Sequence, residues 1–75
     1  MSGRIKFSYK KLRGRIREVL GNEATFAQAL GCAQTTLSLK LNGFNEFTQS
    51  EILKAAKILG ISNSEIPSYF FAIEV

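Results

Sequence analysis

The sequence predicts an all-α fold, a compact bundle of about five helices forming one domain over residues 1–75. The main observation is two pairs of apolar residues, one on each side of Gly31, with the members of each pair four positions apart. The pairs are Phe26 with Leu30 and Leu37 with Leu41. Four-residue spacing puts each pair on one face of a helix, and a glycine between them can end the first helix in the left-handed conformation. A second observation is the pair Thr48 and Glu51, which has capping-box spacing. Helices 2 and 3 are therefore predicted to form a helix-turn-helix.

Helix 1 is predicted to begin after Ser8, which can cap it, and to end at Gly21. Phe7 and Leu12 hold the positions of a hydrophobic staple. Its predicted buried residues recur with helical spacing; they are Leu12, Ile16, Val19 and Leu20.

Helix 2 is predicted over Thr25 to Leu30, with Thr25 and Gln28 in capping-box spacing. A start two residues earlier, capped by Asn22, is nearly as well supported. Helix 3 is predicted over Gln34 to Leu41, ending at Asn42-Gly43 and beginning after Ala33, whose side chain cannot cap it.

Helix 4 has the strongest local signals, namely the cap formed by Thr48 and Glu51 and the stop at Gly60. Its predicted core-facing residues are Ile52, Leu53, Ala56 and Leu59. Ser62 and Glu65 repeat the capping spacing, but Pro67 comes so soon after them that only a short fifth helix or a turn is predicted there.

The two ends allow two interpretations. Apolar and polar residues alternate at both; the apolar ones are Ile5 and Phe7, then Phe71, Ile73 and Val75. Alternation is typical of strands, so short N- and C-terminal strands could pair with each other. Alternatively, Phe70, Phe71 and Ile73 close the open side of the helical core.

Composition excludes several classes of function. One cysteine, Cys32, and no histidine leave neither an intrachain disulfide nor a zinc site. The glutamates show no paired spacing, Cys32 has no histidine to activate it, and no glycine-rich phosphate loop is present. No apolar run approaches the roughly 20 residues of a membrane span, and the N-terminus lacks the apolar core of a signal peptide. We expect no enzyme, no cofactor, no metal, no small-molecule ligand and no membrane association.

Basic residues are concentrated at the N-terminus. The net charge is +4, and seven of the ten basic residues lie within the first seventeen positions, namely Arg4, Lys6, Lys10, Lys11, Arg13, Arg15 and Arg17. In many proteins such a run only forms the solvent-exposed face of a helix and binds nothing. Beside a helix-turn-helix, it favours binding to a polyanion such as DNA.

The outward face of helix 3 is the predicted DNA-reading surface, because an α-helix fits the major groove. At 100° per residue, Leu37 and Leu41 point inward. The predicted base-contacting residues are Gln34, Thr35, Ser38 and Leu39. Gln34 could bond an adenine edge, and Leu39 could contact a thymine methyl or, alternatively, pack against a neighbouring element.

Phosphate contacts are predicted around that face. Lys40 can cover apolar surface with its stem while its ammonium reaches a phosphate. Asn42 and Asn45 either contact the sugar-phosphate chain or only form the turn. The full predicted set is Lys10, Lys11, Arg13, Arg17, Thr25, Thr36, Lys40, Asn42 and Asn45.

Five segments carry a resemblance to a known family: KLRGRI at 11–16, FAQALG at 26–31, TLSLKLNG at 36–43, FTQSEI at 47–52 and YFF at 69–71. With these segments the chain resembles the small Cro-like and other phage-type repressors of the lambda-repressor-like helix-turn-helix superfamily. The resemblance implies a five-helix bundle that binds a palindromic operator as a dimer. It implies recognition positions at Ala33, Gln34, Thr35, Ser38 and Leu39.

Three residues depart from the pattern of that superfamily. Glu23 stands where relatives often place a phosphate-binding glutamine, so either the register differs here or Thr25 and backbone N–H groups hold that phosphate instead. Ala33 replaces a frequent serine or threonine, and Lys40 stands at a frequently apolar position.

These observations predict a sequence-specific DNA-binding transcriptional regulator, a Cro-like phage repressor occupying a double-stranded operator. We expect a homodimer, at least on DNA, in the cytoplasm of a bacterial host. The alternative is a protein-interaction module on the same fold, such as an antitoxin or antirepressor.

Overall fold

The computed structural model describes residues 6–74 and shows an all-α bundle of five helices. The helices are α1 (Lys10–Leu20), α2 (Glu23–Leu30), α3 (Gln34–Leu41), α4 (Gln49–Leu59) and α5 (Ile66–Phe70), with a short 3₁₀ turn at Asn63–Glu65. α1 packs against α2, α4 and α5, and α2 packs against both α3 and α4. The predicted fold class is confirmed. The predicted contributions of Arg4, Ile5 and Val75 lie outside the described residues.

Helix starts follow capping chemistry with two differences from the prediction. α1 is preceded by Tyr9 without a side-chain cap, so the Ser8 cap is wrong; the Ser8 N–H instead donates to Ala72 O at 2.7 Å. α2 begins at Glu23 because the Asn22 side chain accepts from the Thr25 N–H, which is the earlier of the two starts considered.

α4 has the predicted capping box. The Glu51 N–H donates to Thr48 Oγ1, and the Thr48 N–H donates to Glu51 Oε1 at 2.9 Å. Pro67 lies in the first turn of α5, where its missing N–H removes no helical bond, so the short fifth helix is confirmed.

The core is continuous through the bundle, and its largest fully buried side chains are Leu12, Ile16, Phe26, Leu37, Leu59 and Phe70. Two predicted core residues are wrong: Val19 and Leu53 are exposed, Leu53 by 60%. Ala55 is buried on α4 instead. The 3.6-residue period puts Leu53 beside the apolar stripe, and the neighbouring helices do not cover it.

The ends of the described chain combine both interpretations. Phe7 and Ile73 form one antiparallel bridge, flanked by the Ser8 bond and by a bond from the Glu74 N–H to Lys6 O. Phe70 is buried and closes the core. Residues 6–74 contain no longer strand.

Candidate nucleic-acid interface

α2 and α3 are held by a tight turn. Gly31 adopts the left-handed conformation (φ 84°, ψ 28°), and its N–H donates to Ala27 O at 2.9 Å. The Cys32 N–H donates to the same carbonyl. Ala27 is buried, so its small side chain lets the two helices pack closely. A Cβ at position 31 would be strained at this φ whatever space surrounded it.

The outward side of α3 is accessible. Gln34, Thr35 and Leu39 are exposed and Ser38 is half-buried, whereas Leu37 and Leu41 lie in the core. Leu39 is 40% exposed, which does not support packing against a neighbouring element as its role. The four predicted base-contacting side chains are therefore at least partly accessible to a large ligand.

Lys40 does not lie on that surface. It is only 8% exposed; its Nζ donates to Glu46 O at 3.0 Å and lies 3.0 Å from Glu51 Oε1. The ammonium also sits 5.9 Å from the centroid of the Phe47 ring. Lys40 is therefore not placed as a phosphate contact, because it is buried and two oxygens inside the fold already occupy two of its three donors.

Glu51 connects Lys40 to the cap of α4. Burial alone would raise the pKa of Glu51, but the hydrogen bond from the Thr48 N–H and the contact with Lys40 outweigh it and lower that pKa below its ordinary value. Glu51 is therefore charged when it contacts Lys40 of α3 and caps the start of α4.

Arg13 is also used within the fold. Its Nη1 donates to Glu23 Oε2 at 2.7 Å, and its Nη2 donates to Asn42 Oδ1 at 2.9 Å. One guanidinium thereby joins the first residue of α2 to the residue that ends α3. Its position is not that of a free phosphate ligand, and it neutralises the Glu23 charge that stood out in the sequence.

Two other cations of α1 contact the C-terminal half of the chain, one at the end of α4 and one on α5. Arg15 Nε donates to Leu59 O at 2.9 Å, where the last carbonyls of α4 lack helical partners. Lys11 Nζ lies 4.7 Å from the Tyr69 ring centroid and donates to Ser68 Oγ at 3.3 Å. Lys11 remains exposed, but these contacts turn it toward α5.

Lys10 and Arg17 are the α1 cations left for a ligand. Both are exposed, and within residues 6–74 neither side chain has an ion pair or hydrogen bond. Arg17 lines a cleft of about 310 Å³ with Asn22 and Glu23 at the start of α2. Lys10 lines another, of about 210 Å³, with Asn42 at the end of α3.

The remaining predicted phosphate contacts differ in availability. The Thr25 hydroxyl donates to Asn22 Oδ1 at 2.9 Å, so its proton is already committed and it is poorly placed to donate to a phosphate. Thr36 is half-buried. Asn42 and Asn45 are exposed in the turn after α3, although the Asn42 amide oxygen accepts from Arg13.

Within residues 6–74, no three histidine, cysteine, aspartate or glutamate side chains are close enough to hold a metal ion. Cys32 is a half-buried free thiol packed against the core. No helix in the described part of the chain is both long and apolar enough to cross a bilayer.

The sequence did not predict two sets of contacts. One joins Arg13 to Glu23 and Asn42, and the other joins Lys40 to Glu51. Lys40 and Glu51 belong to different helices, and Arg13 and Glu23 are ten positions apart. Neither pair has the three- or four-residue spacing that signals an ion pair within one helix. The only available signal was the unusual placement of Glu23 and Lys40.

Comparison with known proteins gives a family and a solved structure. Residues 5–73 match the family described as "Protein of unknown function (DUF739)". The chain is similar to the solution structure of the modulator of repression (MOR) of the temperate bacteriophage TP901-1 from Lactococcus lactis. The two are 41% identical, the similarity covers 88% of this chain and 89% of that one, and the TM-score is 0.78. No curated protein matches the chain.

Proposed function

This chain belongs to the family described as "Protein of unknown function (DUF739)", and we propose that it is a sequence-specific DNA-binding regulator of a phage, built on a Cro-like helix-turn-helix. The proposal includes action as a homodimer on an operator in the cytoplasm of the bacterial host. It includes no enzymatic activity and no cofactor.

The observation that carries the proposal is the accessible side of α3. Gln34, Thr35 and Leu39 are exposed and Ser38 is half-buried, and together they present an amide, two hydroxyls and an apolar side chain. Amides recognise adenine edges, hydroxyls bond several base edges, and apolar groups contact the thymine methyl. Such a mixture suits base reading better than it suits simple solvation.

Charge supports the same proposal. Two exposed cations of α1 flank the α2–α3 unit: Arg17 lies beside the start of α2, and Lys10 lies beside the end of α3. Phosphate contacts of this kind position a protein on the duplex, while the base contacts give specificity. Two copies would place their α3 helices about 34 Å apart, which is one turn of DNA.

The test begins with selection of bound duplexes from a random pool, followed by a salt titration on the selected site. We expect two-fold symmetric sequences and an affinity that falls steeply between about 50 and 200 mM salt. Replacement of Arg17 by Gln should weaken binding to all sequences and reduce the salt slope by about 1. The matched control is Lys57→Gln, which removes one exposed cation of α4 and should leave the slope unchanged.

A second candidate function is binding to a protein that controls repression. Two observations favour it. The ion pair with Glu23 takes Arg13 away from phosphate binding, and the similar phage protein is described as a modulator of repression. If no duplex is selected, or if affinity is insensitive to salt, DNA binding is refuted and this second candidate replaces it.

A further inference from the structure

A cleft of about 200 Å³ lies where the N-terminal segment, the segment before α4 and the end of α5 meet. Its walls are mainly aromatic, with one aliphatic residue and one carboxylate; the lining residues are Phe7, Tyr9, Phe47, Phe70, Phe71, Ile52 and Glu46. None of them belongs to the α3 surface or to the clefts at Lys10 and Arg17, apart from the shared edge at Phe7 and Tyr9.

The rings of this cleft meet edge to face. Tyr9 with Phe47 and Phe47 with Phe70 have centroid distances of 5.4 Å, and Phe7 with Phe71 has one of 6.0 Å. In edge-to-face pairs, the ring that receives an edge uses only one of its two electron-rich faces. Because Tyr9, Phe47 and Phe70 are buried, most of the ring surface that a ligand can reach belongs to Phe7 and Phe71.

Glu46 adds a full negative charge. Its side chain is exposed, and within residues 6–74 its carboxylate has no ion pair. Glu46 lines the cleft together with Tyr9. Burial raises the pKa of the Tyr9 phenol, and the negative charge of Glu46 raises it further. An apolar cleft with a negative mouth is complementary to a group that is itself apolar and positively charged.

The same aromatic cluster already contacts a cation from within the chain. Lys40 Nζ lies 5.9 Å from the centroid of Phe47, inside the distance at which a cation is attracted by a ring face. This contact comes from the protein interior, where Lys40 is also bonded to Glu46 O and Glu51. It involves the backbone oxygen of Glu46 and not its carboxylate, which has no ion pair among residues 6–74.

We propose that this cleft binds an arginine side chain presented by a partner protein. Its volume is below the about 300–1,000 Å³ typical of small-molecule sites, which suits a single long side chain. Arginine fits better than lysine because its planar guanidinium stacks on aromatic rings and can bond a carboxylate through two donors. The site goes beyond the proposed operator binding, and neither depends on the other.

The experiment is an NMR titration of the full chain with a five-residue peptide, Gly-Ser-Arg-Ser-Gly, with capped ends. Matched peptides carry lysine, norleucine or glutamate at the central position. We expect saturable shifts in the ring resonances of Phe7, Tyr9 and Phe71, with affinity decreasing in the order arginine, lysine, norleucine, glutamate. Equal affinity for norleucine and arginine would show a merely apolar surface and overturn the proposal.

Variants locate the site. Glu46→Gln should weaken binding of the arginine peptide about three- to fivefold and leave norleucine binding unchanged. Phe71→Ala should weaken both peptides, because it removes a wall of the cleft. The control is Phe44→Ala, which removes another exposed ring, 66% accessible, that does not line the cleft. Thermal unfolding of each variant checks that the fold is intact.

Three results would contradict the proposal. The first is an absence of saturable shifts with the arginine peptide, and the second is unchanged arginine affinity in Glu46→Gln. The third is concentration-dependent self-association of the free protein that shifts the same ring resonances and is lost in Glu46→Gln, because the occupant would then be a second copy of this chain. None of these results bears on operator binding, which is measured separately with duplex DNA.

Discussion

Replacement of Lys40 distinguishes a structural cation from a DNA-binding one. The ammonium bonds a backbone carbonyl and a carboxylate, each at 3.0 Å, on a side chain that is almost fully buried. Lys40→Ala removes both bonds and the packing of the four-carbon stem. The hydrogen bond from the buried ammonium to Glu46 O contributes about 1.5–3 kcal/mol. The pair with Glu51, whose side chain is 29% exposed, contributes about 0.5–1 kcal/mol. We therefore expect a loss of about 2–4 kcal/mol.

In a domain of this size, each 1 kcal/mol shifts the melting temperature by about 4–8 °C, so Lys40→Ala should melt at least about 8 °C lower. Lys40→Met keeps an apolar stem and should lose less than Lys40→Ala. Double replacement with Glu51→Gln should cost less than the sum of the single changes, because the two residues are in contact. Circular dichroism melting curves give all of these values.

The control is Lys57→Met, which changes an exposed lysine of α4 and should leave the melting temperature nearly unchanged. DNA binding provides the second measurement. If Lys40→Met lowers the salt slope of duplex binding by about 1 and does not change the melting temperature, Lys40 is a phosphate ligand and the structural argument is refuted.

Three further predictions concern other residues. Phe70→Ala should cost about 3–5 kcal/mol in a chemical denaturation experiment, because it empties a fully buried site; a loss below about 1 kcal/mol would show that the tail is not part of the core. Leu39→Ala should change stability by no more than about 0.5 kcal/mol while weakening duplex binding, and a large fall in melting temperature would exclude the thymine-methyl contact. Because the pKa of Glu51 is lowered in the folded state, its stabilisation is complete above the ordinary pKa of 4.5 and is lost as the pH falls below it. The acid loss of stability should therefore be smaller in Glu51→Gln than in the unchanged chain, and identical pH profiles would contradict this assignment.

Local signals predicted the helices well because their causes are local. The Thr48 capping box, the left-handed Gly31 and the limits of α3 all depend on residues within a few positions of one another. The start of α2 was decided by one bond from Thr25 to Asn22, and two adequate caps stood close together in the sequence. Capping strength alone did not separate them.

The site was only partly predictable, because the use of a charged side chain depends on what the fold brings to it. The outward face of α3 follows from the helical period, so the accessibility of Thr35 and Leu39 could be predicted, and that of Gln34 from its place at the start of the helix. The partners of Arg13 and Lys40 come from other helices, and the sequence contains no periodic signal for them. A run of basic residues therefore overstated the number of free cations.

The contacts of α1 have a consequence for folding during synthesis. Arg15 bonds Leu59 O, 44 positions later, and Lys11 contacts Ser68, 57 positions later. A ribosome adds residues one at a time, so these partners of α1 emerge only after most of the bundle has been made. Until then α1 can pack against α2, but the part of its apolar stripe that faces α4 and α5 is uncovered. Docking of α4 and α5 onto α1 is therefore expected to be the late event that completes the bundle, after α1, α2 and α3 have packed together.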